Sequence, residues 1–277
     1  MTTQRHTPVT VPPPRGRDTR ARAAARAQLA AVLWDEAGER RLPTDRALSA
    51  AMRRCSSDDV WWVCETNSAG PLYHLPTREW LRALTRLLRS LEVRTIVEVA
   101  AGDGFLAGRL AAAVPEIRVY ATDSGAWATP RGRMHARDRR EFAGVPLAGI
   151  RAAPQVLRMS ATAAVERYRP DLVLVVWAPP GTLVERVIRA PTRYVLDISV
   201  DGDVCGNGQR TWRFEKEFLS GPIEERGLCR LDDDPLRARA TRATLYYGAR
   251  HRRFGVASAA AGAMRVVDLT GRRARST

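Results

Sequence analysis

A strand–turn–helix junction near residue 100 carries the clearest chemical signature in the sequence. An apolar run over residues 96–100 leads into a turn with Gly102 and Gly104, and a helical pattern follows. Glycine lets the backbone bend tightly and approach a ligand closely, and the first turn of a helix presents free N–H groups. Glu98 stands inside the apolar run, where a buried carboxylate is costly unless something binds it. The junction therefore predicts a site for a nucleotide-like cofactor.

Two kinds of cofactor fit this junction. The glycine pattern, completed by Ala107, matches the dinucleotide fingerprint, and Asp123 follows about 20 residues later, as a ribose-binding acid does. A dinucleotide would place its pyrophosphate at the start of the helix, where Glu98 and Asp103 raise the cost of a phosphate. S-adenosylmethionine tolerates both acids better, because it has no phosphates, carries a sulfonium and an ammonium group, and offers a ribose diol to Asp123. The acids favour S-adenosylmethionine over NAD.

The rest of the chain predicts the scaffold that positions the junction. Strands and helices alternate between residues 77 and 199, which implies a parallel sheet with helices on both faces. The predicted strands cover residues 96–100, 117–122, 156–159, 172–177 and 194–199, and the helices 78–91, 105–114, 161–167 and 183–189. A further helix is predicted over 18–40 and another over 212–219. Two late strands, over 227–231 and 243–248, predict an antiparallel edge.

On these residues the sequence resembles the class I S-adenosylmethionine-dependent methyltransferases over residues 71–250. The family places an acid and then Gly-x-Gly-x-Gly at the end of the first strand; here Ala100 replaces the first glycine. The resemblance implies that Asp123 binds both ribose hydroxyls. It also implies that Ser160 stands at a position where the family often has an acid near the adenine amine. The cofactor-binding residues that it implies are Glu98, Ala100, Ala101, Gly102, Asp103, Gly104, Asp123, Ser124, Ser160 and Trp177.

The resemblance places acceptor-facing groups after the fourth strand. Methyltransferases that act on amines and amides often carry Asp/Asn-Pro-Pro-Tyr/Phe there, whereas this chain reads Ala178-Pro179-Pro180-Gly181. The missing polar and aromatic groups argue against a nucleobase or a glutamine amide as acceptor. Trp177 is expected to line the pocket by apolar or cation–π contact. The acceptor pocket is expected to include Glu65, Tyr73, Pro179 and Pro180.

Two side chains are candidates for a catalytic role. His74 lies just upstream of the first core helix, in a segment that covers the cofactor in such folds, and it is either a general base or a structural hydrogen-bonding group. Asp197 interrupts the fifth strand near its carboxyl end, and it is either a base or an orienting group. Direct methyl transfer depends mostly on alignment of the reactants, so no catalytic triad needs to be visible.

The composition limits the partners and the compartment. Of the net charge of +15, residues 1–30 carry +5 and residues 250–277 carry +6, so the excess lies on the tails rather than on a folded face. Nucleic acid is therefore possible but not favoured. The four cysteines form no C-x-x-C pair, which predicts neither a metal site nor a disulfide framework. No apolar run is long enough for a membrane span. We expect a cytoplasmic, bacterial protein.

Together these patterns predict an α/β fold: a doubly wound, mostly parallel seven-stranded sheet with an antiparallel C-terminal edge and an N-terminal helical extension. The predicted regions are a disordered tail over 1–17, a helical or lid extension over 18–70, the methyltransferase-like domain over 71–256 and a basic, flexible tail over 257–277. The expected activity is methyl transfer from S-adenosylmethionine to a small molecule or peptide. Three alternatives stay open: an RNA methyltransferase that uses the basic tails, a NAD-dependent oxidoreductase, and a non-catalytic interaction protein.

Overall fold

The computed structural model describes residues 19–67, 70–129, 149–178, 181–199, 208–220, 228–229, 242–255 and 266–268. The predicted tail over 1–17 lies outside the described residues, as do Pro179 and Pro180 and most of the predicted tail over 257–277.

Three helices form the N-terminal extension: α1 (Thr19–Leu33), α2 (Asp45–Met52) and α3 (Ser57–Glu65). The predicted helix over 18–40 thus ends earlier, at Leu33. Thr44 caps α2 by accepting a hydrogen bond from a backbone N–H, and Ser56 forms a capping box with Asp59 at the start of α3. The three helices bury a small core of their own, which also includes Leu75.

The chain then alternates between strands and helices. In order, these are β1 (His74–Leu75), α4 (Arg78–Ser90), β2 (Thr95–Val99), α5 (Phe105–Ala113), β3 (Arg118–Asp123), β4 (Val156–Arg158), α6 (Ala161–Tyr168), β5 (Leu172–Val176), α7 (Leu183–Arg189), β6 (Tyr194–Ser199), a 3-10 turn (Gly208–Thr211), β7 (Lys216–Ser220), β8 (Leu228–Cys229), β9 (Arg242–Tyr247) and β10 (Val266–Asp268). Thr77 caps α4, because its side chain accepts a hydrogen bond from the backbone N–H of Trp80. No helix in the described part of the chain is both long and apolar enough to cross a membrane.

The main sheet has the order β10-β7-β9-β6-β5-β2-β3-β4. Strand β9 is antiparallel to both β6 and β7, and the other neighbours are parallel. Seven of these strands, β2 to β7 and β9, form the mostly parallel sheet with an antiparallel edge that the sequence predicts. The strand order reverses beside β2, so the loop after β2 lies at the switch point, where open α/β sheets bind ligands.

The antiparallel edge is built differently from the prediction. The predicted helix over 212–219 is wrong, because residues 216–220 form β7, whose backbone pairs with β9. Of the predicted strand over 227–231, residues 228–229 form β8, which pairs with β1 outside the main sheet. The eighth strand, β10, lies within the predicted tail and pairs with β7. In all three places, pairing with distant segments decides the local structure.

The sheet packs between two helical layers. On one face, Trp80 and Leu84 of α4 and Leu110 of α5 pack against Ile96 of β2. On the other face, residues of α6 and α7 pack against Val97 and Val99. Because side chains alternate along a strand, Glu98 shares the face of Ile96. By the same rule, Asp197 of β6 shares the opposite face with Val195, which packs against α6 and α7.

Candidate functional site

The loop after β2 is bent by three residues with positive φ. These are Ala100 (φ 52°), Gly102 (φ 60°) and Gly104 (φ 79°). At Gly104, an added Cβ would lie 2.4 Å from Cγ2 of Val156, so only glycine fits there. Ala100 adopts the same left-handed conformation at the cost that an L side chain carries in it. The loop can therefore hold its backbone N–H groups close to a ligand.

Asp123, at the end of β3, connects the loop after β2 to the turn after β3 by hydrogen bonds. Its Oδ2 accepts a hydrogen bond from the backbone N–H of Gly102 at 3.0 Å, and its Oδ1 accepts one from Gly125 at 2.7 Å. The side chain is half-buried. A carboxylate has about four acceptor positions, so both oxygens can accept further hydrogen bonds from a ligand.

Asp103 links the loop to the N-terminal extension. Its Oδ1 accepts a hydrogen bond from the N–H of Phe105 at 3.0 Å, and its Oδ2 lies 2.6 Å from Nη1 of Arg40. The Arg40 guanidinium also lies over the Phe105 ring, 3.9 Å from its centre. Arg40 was not predicted, because 63 residues separate it from Asp103 and no local pattern marks it.

Glu98 is 4% exposed, and its Oε2 has no hydrogen-bond partner among the described residues. Burial, followed by the negative charge of Asp103, raises the pKa of Glu98 to about 8. A hydrogen bond from the backbone N–H of Ala107 and the charge of Arg40 oppose this rise, and the charge of Asp123 adds the smallest contribution to it. At neutral pH, Glu98 is therefore mostly a neutral carboxylic acid.

His74 is the second buried polar group here. Neither ring nitrogen has a partner in the part of the chain that the structure describes. The ring packs edge-on against Trp80, with centres 4.7 Å apart. Burial, followed by the charge of Arg40, lowers the pKa of His74 to about 3. A neutral imidazole has one donor and one acceptor nitrogen, so His74 can exchange hydrogen bonds with a ligand.

One cavity joins these groups. It has a volume of about 170 Å³ and opens to solvent. The predicted residues that line it are Tyr73, His74, Glu98, Ala100, Ala101, Gly102, Asp103, Asp123, Ser124 and Trp177. Lining residues that the sequence analysis missed include Arg40, Phe105, Trp127, Ile150 and Met159.

The aromatic lining comes from three separate segments. Tyr73 precedes β1, and its ring meets Trp127 edge-on at 5.8 Å. Trp177 follows β5 with a positive φ of 60°, and its N–H donates to the carbonyl of Ile198. A non-glycine residue held in this conformation is often found at a binding site. Trp127 lies in the turn after β3, where the sequence showed no pattern to indicate a pocket residue.

Other predicted residues lie outside this cavity. Gly104 borders a neighbouring groove, and Ser160 caps α6 by accepting a hydrogen bond from Ala163 N–H at 3.3 Å. Glu65 is buried at the end of α3. Asp197 lies on the opposite face of the sheet, so the structure does not bring it together with His74. Pro179 and Pro180 lie outside the described residues.

Asp197 is buried, and it has no charged partner among the described residues. Its Oδ2 lies 3.3 Å from the hydroxyl of Ser199, which donates to it, and its Oδ1 has no partner within the described ranges. Burial raises its pKa to about 7, against the weaker lowering effect of Ser199.

Comparisons with known proteins give structures but no sequence relatives. No protein-family model and no curated protein sequence matches the chain. Similar solved structures include the methyltransferase domain of bacterial CtHen1 (11% identity, 61% of this chain and 98% of that one, TM-score 0.37) and the rRNA methylase from Escherichia coli (13%, 82% and 75%, 0.34). Another is the plantazolicin methyltransferase BpumL in complex with SAH (11%, 81% and 95%, 0.31).

All three of these structures are methyltransferases, and at such TM-scores we take no functional argument from them. The strand order carries the assignment instead. Numbered along the chain, the seven strands lie in the order third, second, first, fourth, fifth, seventh, sixth, with the seventh antiparallel. This order, with its antiparallel edge, confirms the predicted fold class, a mostly parallel α/β sheet of seven strands.

Proposed function

We propose that the protein transfers a methyl group from S-adenosylmethionine to an acceptor bound in the same cavity. The observation that carries the proposal is the charge pattern of the lining. Three carboxyl groups, Glu98, Asp103 and Asp123, face one guanidinium, that of Arg40, which already pairs with Asp103. This lining disfavours the pyrophosphate of NAD and suits a ligand with positive charge and no phosphate.

The residues present fit S-adenosylmethionine. Asp123 has acceptor capacity left for the two ribose hydroxyls, and the unpartnered Oε2 of Glu98 suits a cationic group. Trp127, Ile150 and Met159 offer apolar surface for the adenine ring. The cofactor supplies a methyl group that its sulfonium makes electrophilic. The protein's task is then to align the acceptor and exclude water.

For the acceptor we propose a small molecule or a peptide. Tyr73, His74 and Trp177 line the cavity, and Trp177 packs against Tyr73. With a pKa lowered to about 3, His74 is a weak base, and its neutral ring can orient an acceptor hydroxyl by accepting a hydrogen bond from it. We assign no catalytic role to Asp197, because it lies on the other face of the sheet. Cys55 and Cys64 are buried and form no disulfide within the described residues, which suits the reducing cytoplasm that we propose.

A nucleic-acid acceptor is the second candidate, and α4 supplies an observation in its favour. Arg78, Arg82 and Arg86 are exposed at four-residue spacing, so their side chains follow one face of the helix over about 12 Å. Within the described residues, Arg82 and Arg86 form no ion pair. A row of positive charges suits a phosphate backbone. The predicted basic tails lie outside the described residues.

Calorimetry with S-adenosylmethionine, S-adenosylhomocysteine and NAD tests the main proposal. We expect the first two to bind with micromolar affinity and NAD not to bind. Binding of NAD without binding of S-adenosylmethionine would instead establish the oxidoreductase alternative. Cofactor binding without methylation of any acceptor in a metabolite and peptide screen would support a non-catalytic interaction protein.

A charge-matched pair of variants tests the nucleic-acid candidate. The first replaces Arg78, Arg82 and Arg86 with glutamine, and the control replaces Arg20, Arg46 and Arg53, which are exposed on the N-terminal extension. If RNA is the acceptor, only the first triple variant loses affinity for a single-stranded RNA, and the salt dependence of binding becomes shallower. Equal losses in both variants indicate nonspecific attraction.

A further inference from the structure

We propose that Glu98 makes the cavity selective for a cationic ligand and releases a proton to solvent when that ligand binds, because its carboxyl group is buried with one oxygen that has no partner among the described residues. This inference rests on the proposed function and adds to it a proton that is exchanged on binding. It also makes Glu98 the residue that distinguishes charged from neutral nucleosides.

The position of Glu98 isolates it from any counter-ion in the sheet. It lies in β2, and its register neighbours are Ala121 of β3 and Leu174 of β5, which are apolar. On the helix side, the side chains of Leu106 and Ala107 of α5 are also apolar, and the backbone N–H of Ala107 donates a hydrogen bond to the carboxyl group. A carboxylate with one unpartnered oxygen in such surroundings is costly to keep ionised.

The charged and titratable groups around the cavity strengthen this effect. Asp103 and Asp123 are both negative and raise the pKa of Glu98, while His74 is neutral. Arg40 is the cation among the described lining residues, and its guanidinium is bound to Asp103 at 2.6 Å. The cavity therefore contains a carboxyl group whose missing counter-ion must come from the ligand.

A positive charge enters the cavity with the ligand, and a proton leaves Glu98. A ligand that carries an ammonium or sulfonium group enters, the O–H bond of Glu98 breaks, and the proton passes to the buffer. The new carboxylate and the ligand cation then form an ion pair in a low-dielectric site, where their attraction is strong. A neutral ligand supplies no such attraction, so Glu98 keeps its proton.

Calorimetry in two buffers of different ionisation enthalpy measures the number of protons released. The probes are S-adenosylmethionine and the neutral nucleoside 5′-methylthioadenosine, both at pH 6.5. With a pKa of about 8, Glu98 is then protonated in a ratio of roughly 30 to 1, and the cofactor's own amino group is already charged. We expect about one proton released per S-adenosylmethionine and none for 5′-methylthioadenosine.

Glu98→Gln keeps the shape of the neutral acid and is expected to fold normally. We expect it to release no proton with either probe, to bind S-adenosylmethionine at least tenfold more weakly, and to bind 5′-methylthioadenosine within threefold of the unmodified protein. Asp197→Asn is the control, since it removes another buried acid with a raised pKa but leaves the proton count unchanged.

Two results overturn the inference without affecting the proposed function. One is binding of S-adenosylmethionine to the unmodified protein with no proton released, which needs no variant to observe. The other is proton release that persists in Glu98→Gln. If S-adenosylmethionine does not bind the unmodified protein at all, the proposed function itself fails, and the inference fails with it.

Discussion

Glu98 and Asp197 are two buried carboxyl groups on the same sheet that differ in what surrounds them. Each has one oxygen without a partner among the described residues, and burial raises the pKa of each. Glu98 faces the cavity, with two further acids and Arg40 nearby. Asp197 faces the opposite helical layer and has Ser199 as its polar neighbour. Burial alone therefore does not distinguish the two acids, whereas the cavity beside Glu98 does.

The difference has an energetic consequence. A ligand can relieve the cost of burying Glu98, because the cavity lets a cation approach it. Asp197 lines neither that cavity nor the adjoining groove, so its cost persists whether or not a ligand is bound. The two acids should then respond in the same way to pH and differently to the cofactor.

The largest expected effect is on the pH dependence of stability. Because the pKa of Asp197 rises from 3.8 unfolded to about 7 folded, the folded state binds more protons. Stability is then fully present below about pH 4 and is lost as the pH rises to about 7. Relative to Asp197→Asn, the unmodified protein should lose about 3 kcal/mol between pH 4.5 and pH 7.5. Urea denaturation at pH 4.5 and 7.5 measures the loss.

Added cofactor separates the two acids in the same experiment. Glu98 and Asp197 each contribute to the loss of stability with rising pH, and Glu98→Gln or Asp197→Asn removes the respective contribution. Saturating S-adenosylmethionine should reduce the contribution of Glu98 and leave that of Asp197 unchanged. A constant stability difference between the unmodified protein and Asp197→Asn across pH 4.5 to 7.5 would show that Asp197 is ionised in the folded state. The comparison between the two buried acids would then break down.

The next largest effect is on cofactor affinity. Asp123→Ala removes the acceptor proposed for two ribose hydroxyls and also releases the Gly102 N–H. Hydrogen bonds to a charged group contribute about 1.5–3 kcal/mol each, so we expect at least a 100-fold weaker Kd by calorimetry. Asp197→Asn is the matched control, with a change below threefold. A similar loss in both variants would place Asp197 in the binding machinery.

Arg40 is expected to have an intermediate effect through Asp103. Arg40→Met keeps the apolar stem over Phe105 but removes the ion pair at 2.6 Å. Because Asp103 then loses its fixed position, we expect a cofactor Kd about tenfold weaker, which is about 1.4 kcal/mol. Arg41→Met is the control, since the exposed Arg41 side chain bonds only to the carbonyl of Ala31 in the described structure. Equal affinities of the two variants would show that the extension does not support the loop.

The sequence predicted the parts of the site that local backbone chemistry decides. Glycines at positive φ and an acid at the end of a strand are local patterns: Gly102 and Gly104 have positive φ, and Asp123 ends β3, although Gly104 borders the neighbouring groove and not the cavity. Arg40 and Trp127 reach the cavity from segments whose patterns carry no such signal. The helix predicted over 212–219 failed for a related reason, because pairing with β9 outweighs the helical spacing of Trp212 and Leu219.

The smallest effect concerns Ala100, where the sequence departs from the family's first glycine. Its φ of 52° costs an alanine roughly 1–2 kcal/mol. A glycine would relieve this strain, but its greater freedom in the unfolded chain offsets part of the resulting gain in stability. Ala100→Gly should therefore stabilise the protein by roughly 0.5–1 kcal/mol, measured by urea denaturation. Ala101→Gly is the control, since Ala101 is absent from the residues with positive φ, and it should destabilise by a similar amount. If Ala100→Gly also destabilises the protein, the alanine methyl group contributes packing in the cavity wall that outweighs the strain of its backbone.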